Sequence, residues 1–332
     1  MTGLERIWYG KSAWIWPLLP FGWLYCTVAG ARRLAYRTGL RKIHRLDVPV
    51  IVVGNLTVGG TGKTPLVTWL VECLRAHGYR PGLVARGYGG RARHWPQPVR
   101  PDSDPAAVGD EPVLLARATG CPMAVAPDRV AAARALLAHS VCDVIVSDDG
   151  LQHYALGRDV EIAVIDGVRR FGNGRCLPAG PLREPARRLA AADLLVSNGP
   201  ARPGEFAMRV RAVDARNLMT GERRPLTAFR GVALHAVAGI GRPERFFDAL
   251  HEQGLEFEAH AFPDHHAFRE DELGFPGSVL MTEKDAVKCE SFARPEFWAV
   301  GARTELDPAF GARLLELLRH AERGTESRRS VV

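Results

Sequence analysis

The sequence has no Cys-x-x-Cys pair, no internal repeat and no long apolar run free of proline and glycine. Its six cysteines (Cys26, Cys73, Cys121, Cys142, Cys176 and Cys289) stand apart, mostly within apolar runs. A zinc knuckle and a disulfide framework are therefore not expected, and the six read as buried, reduced thiols. At 46% hydrophobic and 24% charged over 332 residues, the chain is neither disordered nor collagenous, and it is long enough for two domains. Acid is scarce at the amino end. Residues 1–47 hold only Glu5 and Asp47, against Arg6, Lys11, Arg32, Arg33, Arg37, Arg41, Lys42 and Arg45, and so account for +6 of the net +7. The rest of the chain is nearly neutral, which speaks against nucleic acid as a partner despite a pI near 9.3.

What the leader does have is tryptophan. Four of the seven fall in the first 23 residues, and residues 12–31 carry no charge. Pro17, Pro20 and Gly22 interrupt that stretch, and tryptophan favours the headgroup boundary, so a shallow interfacial anchor fits better than a spanning helix. Two rival readings stand beside it. One is a cleaved signal peptide ending in Val28-Ala29-Gly30-Ala31, opposed by the six basic residues that follow. The other is a helix buried under the protein's own body.

The run V-P-V-I-V-V at residues 48–53 has the β-branched character of a buried parallel strand. It feeds Gly54-Asn55-Leu56-Thr57-Val58-Gly59-Gly60-Thr61-Gly62-Lys63-Thr64-Pro65, and residues 66–77 then have helical spacing. Strand, glycine loop, G-K-T and helix make a P-loop: backbone N–H groups from Thr57 to Thr64 cradle phosphates, Lys63 reaches the β/γ-phosphates, and the Thr64 hydroxyl holds Mg²⁺. The loop is a variant, because Thr57 stands where the strict pattern has glycine. A second strand-like run, residues 141–147, delivers Asp148-Asp149-Gly150, followed by Gln152 and His153. Carboxylates at the end of a parallel strand are what a metal partner of the P-loop requires, so Asp148 and Asp149 are metal candidates; a plain Asp-Gly turn is the alternative. In T-E-K-D-A-V-K at residues 282–288, Lys284 and Asp285 are adjacent, so the spacing of a guanine-reading Lys-x-Asp element fails and ATP is expected.

With the glycine loop, D-D-G-L-Q-H and T-E-K-D-A-V-K in one chain, the sequence resembles the tetraacyldisaccharide 4'-kinase (lipid A 4'-kinase) family. The order of further motifs strengthens the likeness: R-G-Y-G-G at 86–90, G-D-E-P at 109–112, R-R-F-G-N-G at 169–174, P-A-G-P-L-R-E-P at 178–185 and D-H-H at 264–266. The resemblance implies transfer of the γ-phosphate of ATP to the 4'-hydroxyl of an acylated disaccharide 1-phosphate at the cytoplasmic face of the inner membrane. It implies a catalytic pair, Asp110 and His265, assisted by Lys63 and Asp149, and it makes Arg183 and Glu184 candidates for substrate contact. Arg86, Gln152 and His153 join them, and Arg169 and Arg170 lie in another glycine-rich loop. Read from the residues alone, Asp110 is better explained as a helix cap before Pro112, and His265 and His266 with Asp264 form a possible metal group.

Strand-like runs at 81–85, 123–126, 161–166, 194–197, 233–238 and 279–282, with helical stretches such as 129–139 between them, predict an α/β fold: a P-loop NTPase-like parallel sheet covered by helices, with a second, smaller α/β domain. The expected division is a membrane-associating leader over 1–47, a P-loop kinase domain over 48–225, a smaller domain over 226–322 and a polar tail over 323–332. The polar stretch 201–230 is the expected irregular junction, and a monomer peripheral to an anionic membrane is expected. A membrane-associated P-loop ATPase acting as a nucleotide switch is the alternative function; it would have no need of D-D-G-L-Q-H or D-H-H.

Overall fold

A computed structural model of the protein describes residues 3–10, 12–264 and 266–329. Its centre is β1 (Val50–Gly54), with every residue buried, as its unbroken apolar sequence requires for a parallel strand covered on both faces. On one side follow β5 (Val144–Ser147), β2 (Pro81–Ala85), β4 (Met123–Val125) and the short antiparallel edge strand β3 (Gln97–Val99). On the other lie β6 (Val160–Asp166), β7 (Leu194–Asn198) and β8 (Phe206–Asn217), all parallel.

The sheet then continues. The long strand β13 (Phe297–Leu306) runs antiparallel to β8, and beyond it β12 (Ser278–Thr282), β10 (Leu234–Ala238) and the edge strand β11 (Glu258–Ala261) are again parallel. The small strand β9 (Arg223–Pro225) pairs with β8 off this path. One sheet thus has two parallel stretches joined through the β8–β13 pair.

Helices cover both faces. α3 (Lys63–Ala76) places Leu66, Val67, Leu70, Val71 and Leu74 on one face, each fully buried, at roughly 1.5–3 kcal/mol per side chain removed from water. The carboxyl-terminal helix α9 (Pro308–Arg329) packs Phe310, Leu314 and Leu318 into the same core, and α5 (Asp110–Thr119) adds Val113, Leu115 and Ala116. α6 (Arg129–His139) lines the opposite face, behind the little helix α4 (Pro105–Val108) in chain order. In the second half of the chain, α7 (Pro243–Glu252) and α8 (Glu283–Cys289) flank separate cores built on β10 and β12.

Three expectations change. Residues 206–217, expected within an irregular junction, form the twelve-residue strand β8. Its charged residues Arg209, Arg211, Asp214 and Arg216 alternate with side chains such as Met208, Ala212 and Ala215, which are buried; the half-polar pattern disguised a strand. The connections from β5 to β6 and from β6 to β7 carry turns and one 3-10 helix in place of α-helices. Those connections, without α-helix, hold D-D-G-L-Q-H, R-R-F-G-N-G and P-A-G-P-L-R-E-P. Finally, Cys26 and Cys176, expected as reduced thiols, are paired as a disulfide with Cα atoms 6.1 Å apart. They are 150 positions apart in sequence and meet because the leader helix docks on the 176–182 loop, with Gly22 against Ala179. Cys121, Cys142 and Cys289 are buried free thiols as expected, while Cys73 is half-buried.

The leader consists of α1 (Gly3–Tyr9), a 3-10 turn and α2 (Leu19–Arg37). α1 is fixed to the body where the Trp8 indole donates to Pro178 O at 2.9 Å and Asn173 N–H to Trp8 O at 2.8 Å. Of α2, only Leu19 and Gly22 are buried. Trp14, Trp16, Phe21, Trp23, Leu24 and Val28 all face outward, each at least 60% exposed. Among the described residues no helix is long and apolar enough to cross a membrane.

Candidate active site

The glycine loop leaves the carboxyl end of β1 beside that of β5, so the loop and Asp148-Asp149 start as neighbours. Gly59 (φ +102°) and Gly62 (φ +94°) take the left-handed conformations that the reversal into α3 needs. Thr57 is not in that region, which explains how a threonine stands there: it forms a bridge with Leu182 and accepts from the Asn55 amide. Buried Asn55 also donates to Thr57 O at 2.8 Å and accepts from Lys63 Nζ at 3.1 Å, holding the lysine across the mouth of the loop. The loop is braced from outside by Val58 N–H donating to Pro181 O (2.8 Å) and by the Asn198 amide donating to Thr61 O (3.0 Å).

The same bracing loop delivers Arg183, which donates to both carboxylate oxygens of Asp149 at 3.0 Å. Lys63 Nζ lies 3.4 Å from Asp149 Oδ1. Burial alone would raise the Asp149 pKa, but the Lys63 and Arg183 cations override it and hold it at about 2. Asp148 behaves oppositely. It is fully buried, and desolvation, only partly offset by Lys63, pushes its pKa up to about 7. Asp148 Oδ1 and Thr61 Oγ1 are buried with no hydrogen-bond partner. A deeply buried carboxylate oxygen without a donor, next to a hydroxyl-bearing P-loop, is a donor set that suits a hard divalent cation.

A second group of charges faces this one. In T-E-K-D-A-V-K, Thr282 caps α8 by accepting from Asp285 N–H (3.1 Å). Asp285 is fully buried and accepts from Gly239 N–H (2.8 Å) and from Lys288 (2.9 Å). That scaffolding directs Lys284 away from the core. Its Nζ lies 3.1 Å from Glu111, 3.3 Å from Asp264 and 3.9 Å from Asp110. Burial works to lower the Lys284 pKa, yet Glu111, Asp110 and Asp264 together raise it, so the ammonium is firmly charged. Asp110 and Glu111 open α5, and the loop before them turns at Gly109 (φ +97°), where any Cβ would strike Tyr88 O of R-G-Y-G-G. G-D-E-P, D-H-H and T-E-K-D thus meet around one ammonium.

Both groups border one large cavity of about 1860 Å³, lined by the glycine loop, Lys63, Thr64, Asp149 and Arg183 on one side and by Glu111, Asp264 and Lys284 on the other. Asp110, next to Glu111 in the chain, and the buried Asp148 are not among the residues that line it. Arg86, Gln152, His153 and Glu184 line the cavity as well. The Gln152 amide donates to Asn55 O at 3.2 Å, while His153 faces Asp128 at 3.4 Å, with burial lowering its pKa to about 4. Glu184 accepts from the Tyr154 hydroxyl and lies 3.8 Å from Arg188. Arg169 and Arg170 are engaged elsewhere, with Glu5 and the Tyr9 ring and with Glu205 respectively, so they fix the leader and the β7–β8 turn. His265 lies outside the described residues. Its neighbour His266 bonds Glu272 at 3.1 Å and packs against the Phe262 and Phe268 rings.

Several contributors were not singled out from sequence. For Lys284 the sequence offers only the failed spacing of a guanine-reading Lys-x-Asp element. Arg129, buried at the start of α6 with its pKa pulled down to about 10 by desolvation, donates to Asp149 O at 3.2 Å. Arg242 and Arg245 both pair with Asp166 at the end of β6, bridging the two parallel stretches of the sheet. The only local sign was an Asp at a strand end, since its partners lie 76 and 79 positions away.

The family model described as Tetraacyldisaccharide-1-P 4'-kinase matches residues 14–319. A tetraacyldisaccharide 4'-kinase of Nitrosococcus oceani is 58% identical over 95% of this chain and 94% of its own length. One from Methylobacillus flagellatus is 52% identical over 95% of each chain. In three dimensions, the crystal structure of LpxK from Aquifex aeolicus in complex with ATP superposes with a TM-score of 0.78 at 28% identity, over 92% of this chain and 99% of that one.

Proposed function

The chain belongs to the tetraacyldisaccharide-1-P 4'-kinase family, and from that premise we infer how its residues move a phosphoryl group from ATP to the 4'-hydroxyl of a tetraacyldisaccharide 1-phosphate. The observation that carries the reading is the convergence of two charge groups on a single cavity, Lys63–Asp149–Arg183 and Glu111–Asp264–Lys284, the latter with Asp110 3.9 Å from its lysine. The nucleotide-switch reading is set aside, because the relatives are kinases by name and the second group would have no task in a switch.

The backbone N–H groups from Thr57 to Thr64 and the amino end of α3 bind the ATP phosphates, and Lys63 neutralises the β- and γ-oxygens. Asp148, Asp149 and Thr64 would hold Mg²⁺, which would offset charge on the transferring phosphoryl group. Arg183 keeps Asp149 ionised and in place. The acceptor hydroxyl enters from the opposite wall. As its oxygen bonds to the γ-phosphorus and the bond to the ADP oxygen breaks, its proton passes to Asp110, and ADP leaves with the electron pair. Lys284 fixes Asp110 and Asp264 relative to each other, and the family likeness alone gives His265 the part of orienting the base. Arg86, Gln152, His153 and Glu184 shape the sugar and phosphate subsites.

The division expected from the sequence, a P-loop unit over 48–225 and a smaller unit over 226–322, is retained as a proposal. The cores built on β10 and β12 support a second unit, whereas Phe310, Leu314 and Leu318 of α9 pack with the P-loop core, so the end of the chain returns to the first unit. The exposed tryptophans and the basic residues of the leader support peripheral attachment to an anionic membrane surface; a monomer at the cytoplasmic face of the inner membrane completes the proposal.

The test is phosphorylation of the purified disaccharide 1-phosphate by this protein with γ-labelled ATP, with and without Mg²⁺, in wild type and Asp110→Asn. Turnover should need Mg²⁺ and vanish in Asp110→Asn while ATP-analogue binding persists. Full turnover in Asp110→Asn would remove the base from the scheme.

A further inference from the structure

At the far edge of the sheet, remote from the cavity, His235 of β10 and Glu258 and His260 of β11 bring three ligand atoms within 4.8 Å of one another. The strand register makes this possible. Glu258 lies directly opposite His235, and His260, two residues on, shares its face of the sheet. None of the three lines the active-site cavity.

The histidine pair is oriented, not merely adjacent. His235 Nε2 lies 3.1 Å from Pro276 O, and a carbonyl only accepts, so Nε2 carries the proton and Nδ1 presents its lone pair. That lone pair faces His260 Nε2 at 3.0 Å. A backbone carbonyl fixing the tautomer of an imidazole whose other nitrogen points at a cluster of donors is the usual outer-shell arrangement of a metal ligand. Phe275 stacks on both rings, with centroids at 4.8 and 3.9 Å, and prevents them from rotating apart. At metal–nitrogen distances of about 2.0–2.1 Å, nitrogens 3.0 Å apart subtend roughly 90–100° at an ion, a normal angle for neighbouring ligands. The Glu258 carboxylate lies 3.6 and 3.9 Å from the two nitrogens and, being 69% exposed, can swing closer.

We propose that His235, Glu258 and His260 form a binding site for a borderline-soft divalent transition ion of the Zn²⁺, Co²⁺ or Ni²⁺ class, clasping edge strand β11 to β10. Two imidazoles and one carboxylate leave the remaining positions to water, and two nitrogen donors make the site a poor match for Mg²⁺. Without the ion, His260 Nε2 donates to His235 Nδ1; on binding, that proton leaves Nε2 for solvent while Nδ1 takes one up, so the ring stays neutral. The clasp lies four residues upstream of Asp264, in the strand that leads to the D-H-H segment.

Full-length protein in excess Mg²⁺, which occupies oxygen-ligand sites, is titrated with Co²⁺ and followed by ligand-field absorption. One equivalent should bind, and Zn²⁺ should displace it and raise the melting temperature. His260→Gln and Glu258→Gln should each weaken Co²⁺ binding at least about tenfold, the lower bound known for loss of a mere supporting hydrogen bond, with ATP-analogue binding unchanged. The exposed position of Glu258 makes its variant informative even where His260→Gln disturbs the strand. Absence of stoichiometric Co²⁺ uptake, or uptake of wild-type strength in both variants, would overturn the proposal.

Discussion

Lys284→Met tests the part of the active site that depends most on tertiary structure. The lysine is 13% exposed and meets three carboxylates from two remote segments, at 3.1, 3.3 and 3.9 Å. Glu111 and Asp264 are 40% and 38% exposed, so their pairs belong to the water-screened class, worth up to about 1 kcal/mol each. Asp110 is different: at 11% exposure it loses one of its partners, and breaking a buried ion pair outright costs about 3–5 kcal/mol. The 3.9 Å separation and the half-open neighbours argue for the lower end, about 3 kcal/mol. If that loss falls on the positioned carboxylate in the transition state, kcat drops on the order of 100-fold. The assay is initial-rate phosphorylation at saturating Mg-ATP, with calorimetric binding of an ATP analogue and a urea melt to separate folding from chemistry. ATP affinity should hold, because Lys284 is not part of the phosphate loop. Lys284→Arg should recover much of the rate by restoring the charge, though its planar fork fits a three-sided cluster less well. A folded Lys284→Met enzyme with kcat within about threefold of wild type would refute the reasoning.

Three further outcomes follow from the structure. Gly62→Ala should weaken ATP binding markedly, because the position has φ +94° and a Cβ would strike the Asn198 amide that braces Thr61; about 1–3 kcal/mol of backbone strain is expected, and an unchanged ATP-analogue Kd would contradict it. Serine at Trp14, Trp16 and Trp23 together should reduce co-sedimentation with anionic vesicles without altering ATP binding, since all three are solvent-facing; unchanged partitioning would mean that the leader is not the anchor. Asp166 is held down in pKa: burial opposes ionisation, but the Arg169 backbone N–H and the Arg245 and Arg242 cations outweigh it. A carboxylate depressed on folding contributes stability that is fully present above its unfolded value of 3.8 and lost as pH falls through the lower folded value. Asp166→Asn should therefore be less stable than wild type at neutral pH, with the gap in urea-melt free energy closing below about pH 3.8; a gap independent of pH would exclude the ionic role.

Local patterns in the sequence determined the glycine loop, the strand before it and the helix after it. Each is encoded within a few residues: β-branched runs are buried on both faces of a parallel sheet, and glycine takes the left-handed turns. Asp148 and Asp149 were legible for the same reason, because a polar pair ending an apolar strand has few places to go in such a sheet. The family likeness, carried by motifs in order, supplied Asp110, and the structure surrounds that residue with a lysine the motifs did not explain.

What only the tertiary structure decided are the long-range encounters. β8 was hidden because a strand bordering a cleft alternates charge with small apolar residues and lacks a continuous hydrophobic signature. Lys284 was hidden because a lysine in a helix's first turn is ordinarily solvated; only burial among Asp110, Glu111 and Asp264 gives it a task. Cys26 and Cys176 were hidden because 150 residues separate them. Coulomb and hydrogen-bond energies depend on distance in space, which for such pairs is set by the packing of the whole sheet and not by any local stretch of chain. The absences with which the sequence is marked show the same division: the missing Cys-x-x-Cys pairs excluded a local metal knuckle, but not a disulfide or a histidine cluster assembled by strands meeting at a distance.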